Sequence, residues 1–94
     1  MTIGFLQVQL RLPGCHSLKE KRSILKRTLN LIRTQHNVSA AEIDGQNAWQ
    51  DAVLGVVTIY NDRQIVEQVF YQVIRWLETR RDVEVVNYSM QMMH

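Results

Sequence analysis

Cys15 and His16 place a thiol beside an imidazole, directly before a segment that has the features of a helix N-terminus. A helix N-terminus can activate a thiol, and a nearby histidine can act as a base. Neighbouring side chains of an extended segment point in opposite directions, however, and no third residue that would orient the histidine is identifiable. We therefore interpret the pair as structural or incidental.

Other chemistry-bearing patterns are also weak. Three carboxylates, Glu42, Asp44 and Asp51, would have to converge to hold a metal ion, and the sequence gives no sign that they do. Phosphate-loop, dinucleotide-binding, nucleophile-elbow and HExxH patterns are absent. The loop over residues 12–17 has no arginine to hold the phosphate of an acyl phosphate. We expect no enzyme, no cofactor and no metal site.

The most informative pattern is a run of positive charge. Residues 1–41 carry seven basic side chains against the single acid Glu20, whereas the remainder carries four basic and eight acidic residues. At helical spacing, four of the basic residues share one side and a fifth lies beside them: Lys19, Arg22, Lys26, Arg33 and, beside them, Arg27. Such a stripe could contact successive phosphates of RNA or an acidic protein, and a plain solvated helix face is the equal alternative.

Lys21 differs from these five because its helical position falls within the apolar arc of the same segment. A lysine there can cover the edge of the core with its stem while its ammonium reaches an acid. Glu42 and Asp44 lie two residues apart and so share one face of a predicted strand. We expect a structural ion pair between Lys21 and Glu42 or Asp44.

The elements that carry these residues follow from the apolar spacing. Residues 3–12 alternate as a half-buried strand, with Leu6, Val8 and Leu10 on its inner side. Ser17 and Glu20 form the spacing of a reciprocal capping box, which predicts a helix from Leu18. We expect that helix to end at residues 36–37, with Asn37 in the left-handed conformation.

The second half repeats this plan. We predict strands over residues 38–44, 52–60 and 83–93, and a helix capped by Asp62 that runs to about Arg80. In the last strand, alternation places four apolar residues on one face: Val86, Tyr88, Met90 and Met92. The order βαββαβ predicts an α+β, ferredoxin-like fold: a four-stranded antiparallel sheet of order 4-1-3-2 with both helices on one face.

The other sheet face lacks helices, yet Phe5 and one side of the strand over residues 52–60 are apolar there. Water is a poor neighbour for such a surface, so we expect a homodimer. Trp49, near a hairpin, is expected to close one end of the core.

Length and composition are consistent with one domain over residues 1–94. No apolar run approaches the 18 or so residues needed to span a bilayer, so we expect no membrane partner. Cys15 is the only cysteine and cannot form an intramolecular disulfide. We expect a soluble, cytoplasmic protein.

Three segments carry a family resemblance: SLKEKRS at residues 17–23, NVSAAEID at residues 37–44, and Trp49-Gln50 before the third strand. With these the chain resembles the small bacterial domain-of-unknown-function family 503, also called YlxP-like. Asn47 departs from that family, which often has an acid at this position. The resemblance implies a ferredoxin-like fold, no settled activity, and gene neighbourhoods beside translation initiation and ribosome maturation factors.

Together, the charge stripe and the resemblance favour a non-enzymatic module that binds RNA or ribosomal components through its first helix. The third strand lacks the aromatic platform of sheet-based RNA modules, so we expect contacts to backbone and shape. The alternative is a homodimeric regulatory or scaffolding module that binds an acidic protein or a small ligand.

Overall fold

The computed structural model describes residues 1–93. Its elements, in chain order, are β1 (Thr2–Arg11), α1 (Leu18–Gln35), β2 (Ser39–Asp44), β3 (Asp51–Tyr60), α2 (Arg63–Glu78) and β4 (Glu84–Met93).

The four strands form one antiparallel sheet in the order β2-β3-β1-β4. α1 lies against β2, and α2 packs on β1, β3 and β4. This is the predicted ferredoxin-like arrangement, read from the opposite edge, and the fold prediction is confirmed. The core lies between the helices and the sheet face that they cover, and the other face of the sheet carries no helix.

The core forms where the alternation of the strands meets the apolar arcs of the helices. Leu6, Val8 and Leu10 of β1 are completely buried, as their spacing predicted. Phe70 and Leu77 of α2 are also completely buried and cover this layer from above. The central strands therefore hold the helices at fixed positions over the sheet.

The helix N-termini follow their capping residues. The Ser17 hydroxyl accepts the Glu20 N–H at 3.1 Å, and Asp62 accepts the Gln64 N–H at 2.9 Å. The Glu20 carboxylate, however, accepts the N–H of His16 at 3.0 Å, so the predicted reciprocal box is shifted by one residue.

The helix C-termini differ from the predictions. His36, in an extended conformation with φ −135°, caps α1. The prediction that Asn37 takes the left-handed conformation was wrong, because among residues 1–93 only Gly45 has a positive φ. The chain instead leaves the helix already extended toward β2. α2 ends at Glu78, two residues before the predicted end at Arg80.

β4 departs from simple alternation. Its register against β1 shifts between Gln9, which pairs with Asn87, and Leu10, which pairs with Val85. The extra residue, Val86, is 43% exposed, while Val85 packs against the core. The predicted faces of β4 were therefore wrong at Val85, which lies on the core side with Met90 and Met92, since a bulge reverses the alternation and sequence spacing cannot locate one.

No helix within residues 1–93 is long and apolar enough to cross a membrane.

Gly4 of β1 is needed for the close approach of α2. A Cβ placed there would overlap Val66 Cγ1 and would lie 2.7 Å from Phe70 Cε2. We expect Gly4→Ala to destabilise the fold by about 1–3 kcal/mol, because a packed interior resists added volume. Urea denaturation followed by circular dichroism measures this. Gly14→Ala, with no heavy atom within 4 Å of its new Cβ, is the matched control and should change stability by less than about 0.5 kcal/mol. Equal stability of the two variants would contradict the packing argument.

Candidate nucleic-acid interface

Lys21 fixes the N-terminal end of α1 to the rest of the molecule. Its side chain is 2% exposed, and its Nζ lies 2.9 Å from Glu42 Oε2. Nζ also donates hydrogen bonds to the carbonyl oxygens of Gly45, at 2.5 Å, and Ala48, at 2.6 Å. The ammonium thus donates two hydrogen bonds to carbonyls and forms an ion pair with Glu42 Oε2, which is buried and, within residues 1–93, has no hydrogen-bond partner.

Asp44 does not join this contact. Its Oδ1 accepts the N–H of Gly45 at 2.8 Å and shapes the loop at the end of β2. Gly45 has a φ of 80°, a backbone conformation that is costly for a residue with a side chain. Its carbonyl accepts two hydrogen bonds, one from the Ala48 N–H at 3.0 Å and one from the Lys21 ammonium. The structure therefore brings Lys21 to Glu42 and uses Asp44 to form the turn that Lys21 holds.

The free cations of α1 lie on the opposite side of the helix. Lys19, Arg22 and Lys26 are exposed, and among residues 1–93 none of the three forms an ion pair. They span roughly 10 Å along the helix axis at 1.5 Å per residue. Glu20, the one acid in this region, directs its carboxylate to the His16 N–H. These three residues form the basic face of α1.

Arg27 and Arg33, also predicted for this surface, have partners. The Arg33 guanidinium donates to the Ala40 carbonyl through Nε at 3.1 Å and Nη2 at 2.5 Å, which ties α1 to β2. Arg27 remains 64% exposed, with Nη2 4.0 Å from Asp82 Oδ2. Arg33 is thus engaged with the edge strand, whereas Arg27 flanks the basic face and stays accessible.

Sequence reasoning missed a second basic group, at the end of α2. Arg80 grips Asp82 with two hydrogen bonds of 3.0 and 2.9 Å, and its guanidinium lies 5.0 Å from the centre of the Trp76 ring. Arg81 beside it is exposed. Because Asp82 also approaches Arg27, this group adjoins α1. Residues 42–94 carry more acidic than basic side chains, so the sequence did not indicate this basic group. It is recognised only from the proximity of the two helices in the structure.

Cys15 and His16 are separated as their extended backbone predicts. Cys15 is 1% exposed and its Sγ donates to the Ser17 carbonyl at 3.2 Å. His16 is exposed. The thiol is therefore part of the core, and the imidazole lies in solvent.

Trp49 is 53% exposed, so the expectation that it closes the core was wrong. Its neighbours explain its position. The Gln50 carbonyl accepts the Leu12 N–H at 2.8 Å, the Gln50 side chain donates to the Cys15 carbonyl at 3.1 Å, and Ala48 is held by Lys21. Both flanking residues are fixed, and the indole projects from a secured loop.

The carboxylates considered for a metal, Glu42, Asp44 and Asp51, do not form a cluster of ligands. Within residues 1–93, no group of three His, Cys, Asp or Glu side chains is arranged to hold a metal ion.

Comparison with known proteins places the chain in a family. A family model described as a protein of unknown function, DUF503, matches residues 3–90. The chain belongs to the DUF503 family. Among curated proteins it is similar to the uncharacterized protein YlxP of Bacillus subtilis (strain 168), with 32% identity over 82 residues that cover 87% of this chain and 89% of that relative.

Two solved structures resemble this DUF503 chain at low identity. One is LarC2, the C-terminal domain of a cyclometallase involved in the synthesis of the NPN cofactor of lactate racemase, with a TM-score of 0.50 and 13% identity. The match covers 99% of this chain and 55% of that one, so the DUF503 chain spans about half its length. The other, SnoaB, a cofactor-independent oxygenase from Streptomyces nogalater, gives 0.49 and 12%, covering 99% and 91%. The LarC2 likeness shows a shared fold alone.

The burial of the Lys21 ammonium in this DUF503 chain leads to a testable prediction about stability. We expect Lys21→Met to destabilise the fold by about 3–5 kcal/mol, because it leaves the Glu42 carboxylate without its counter-ion and removes the hydrogen bonds to the Gly45 and Ala48 carbonyls. Urea denaturation measures the loss. Adding Glu42→Leu should recover part of it by removing the unpaired charge.

Lys26→Met is the matched control, since it removes an exposed lysine of the same helix and should change stability by less than about 0.5 kcal/mol. If Lys21→Met cost no more than this control, the ammonium would not be what secures the loop.

Proposed function

We propose that this DUF503 protein binds RNA or ribosomal components through the basic face of α1. The observation that carries the proposal is that Lys19, Arg22 and Lys26 are exposed side by side without an acidic partner. An ordinary solvated helix gains stability by mixing signs at i,i+4, as Arg63 and Glu67 do on α2 at 3.1 Å. The basic face of α1 has no such ion pairs within residues 1–93, as expected of a surface that binds a polyanion.

The arrangement suits recognition of an RNA backbone. Lys21 and Arg33 tie α1 to the loop after β2 and to β2 itself, so the three free cations stand on a rigid support. A rigid row of cations can match phosphates at fixed spacing, and each neutralised phosphate releases counterions. Arg27 and Arg81 extend the positive surface toward the end of α2.

The proposed target is a structured RNA, such as ribosomal RNA or a ribosome assembly intermediate. The open face of β3 presents Val53, Gly55 and Val57 rather than aromatic side chains, so β3 offers no platform for base stacking. The proposed activity is non-enzymatic and cytoplasmic, and the gene neighbourhoods implied by the family resemblance agree with it.

A second candidate function is a homodimeric regulatory or scaffolding module that binds an acidic protein or a small ligand. The observation that favours it is the open sheet face, where Ile59 is 51% and Val57 42% exposed. A shallow groove on this face, lined in part by Phe5, Ile43 and Gly55, is its candidate site for a small ligand. In this function the basic face of α1 would recruit an acidic protein surface.

RNA titration at two salt concentrations tests the first function. We expect the protein to bind fragments of structured ribosomal RNA, and the variant Lys19→Gln, Arg22→Gln, Lys26→Gln to bind much more weakly. Because three phosphate contacts are removed, the slope of log affinity against log salt should fall in magnitude by about 2–3. Fluorescence anisotropy with labelled RNA measures both quantities.

A charge-matched control separates this surface from net charge. The variant Arg63→Gln, Arg75→Gln removes two exposed cations that lie outside α1 and is compared with Lys19→Gln, Lys26→Gln. It should retain the wild-type salt slope. If the two double variants weaken binding equally, the effect is one of net charge and not of the basic face. If the wild-type protein binds no RNA at low salt, the first function is wrong and an acidic protein becomes the expected partner.

A further inference from the structure

The open sheet face is divided into an apolar end and a charged end. At the apolar end, five side chains from three strands form one patch: Ile3, Phe5, Ile43, Val57 and Ile59. Ile59, Ile43 and Val57 are between 42% and 51% exposed. Contiguous exposed apolar side chains of this kind favour contact with another molecule.

The charged end is a single row across the sheet. The registers place Arg11 of β1 between Asp51 of β3 and Glu84 of β4. All three are exposed, and within residues 1–93 Arg11 forms no ion pair with either neighbour. Between this row and the apolar patch, β1 presents the uncharged Gln7 and Gln9. The free guanidinium therefore has capacity for an acid outside the chain.

The size of this face fits a modest protein interface. At about 4.8 Å between strands and about 3.3 Å per residue, three ten-residue strands and the six-residue β2 present about 570 Å². Two such faces bury about 1,100 Å² in total, just above the roughly 1,000 Å² expected of a biological interface. A second copy of this chain would bring the same area and the same pattern.

We propose that a second copy covers this face, related by a two-fold axis that runs parallel to the strands between β1 and β3. This axis lays β1 of one copy over β3 of the other. Ile3 then lies over the partner's Ile59, Phe5 over the partner's Val57, and Arg11 over the partner's Asp51. The proposal rests on the self-association described above and specifies its surface and orientation.

The charges select this orientation. A two-fold axis perpendicular to the strands would lay the row of Arg11, Asp51 and Glu84 on the partner's apolar patch and bury charges without counter-ions, which is costly. With the parallel axis, Ile3 and Phe5 of β1 meet Ile59 and Val57 of the partner's β3, and each Arg11 meets a carboxylate. Face-to-face sheets pack about 10 Å apart and within about 30° of alignment, which this pairing allows.

Sedimentation velocity without RNA, over a range of protein concentrations, tests the surface. We expect a dimer of the wild-type protein and a monomer of Val57→Lys at the same concentrations. Leu31→Lys is the matched control, since Leu31 is an exposed apolar residue of α1, 37% exposed, and should leave the dimer intact. A wild-type protein that is monomeric throughout overturns both the self-association and this inference, and leaves the RNA proposal to its own test.

A mixing experiment tests the orientation with variants at exposed positions. Arg11→Asp and Asp51→Arg each place like charges opposite one another in their own homodimers, so each alone should dimerise at least tenfold more weakly than wild type. Mixed together, they place opposite charges across the interface, and native mass spectrometry should show mainly the heterodimer. Mixing leaves the charges within each chain unchanged, so recovery reports contacts between copies. A wild-type dimer combined with no preference for the heterodimer overturns the proposed orientation.

Discussion

The structure depends on the neutralisation of one buried ammonium. Lys21 lies in the first turns of α1 at a position that packs into the core, where an unpaired charge would cost several kcal/mol. Glu42 supplies the opposite charge, and two carbonyls of the loop after β2 accept the hydrogen bonds of the ammonium. This requirement determines where the loop lies, because Gly45 and Ala48 must both turn their oxygens inward. It also secures the start of α1 against the β2 edge of the sheet.

The same helix therefore uses its positive charges in two ways. The charge of Lys21 is neutralised inside the fold by Glu42, and the guanidinium of Arg33 donates a hydrogen bond to the Ala40 carbonyl of β2. The charges of Lys19, Arg22 and Lys26 remain available to solvent on a helix that cannot easily move. A ligand that binds them gains from this preorganisation, because little motion has to be frozen on binding. Rigid support and exposed charge together make α1 the strongest candidate surface for a polyanion.

Much of this could be predicted from the sequence, because strong local signals determine the elements. The alternation of Leu6, Val8 and Leu10 identified β1, and Ser17 and Asp62 located both helix starts. The position of Lys21 in an apolar arc predicted that it would be buried beside an acid. The failures arose where tertiary contacts decide. No spacing rule could show that Trp49 projects outward, that a bulge displaces Val86, or that Arg27 approaches Asp82, since each depends on segments far apart in the chain.

The strand order has a consequence for how the chain folds. β1 lies at the centre of the sheet, and both of its neighbours are distant in sequence: Ile3 pairs with Ile59 on one side and with Met93 on the other. Closing such long loops costs entropy before any pairing energy is gained. Folding speed falls as contacts become less local, so this sheet is expected to form more slowly than a helical bundle of equal size. Until β3 and β4 arrive, the apolar strand β1 has no partner, and this interval is when the chain is most exposed to aggregation.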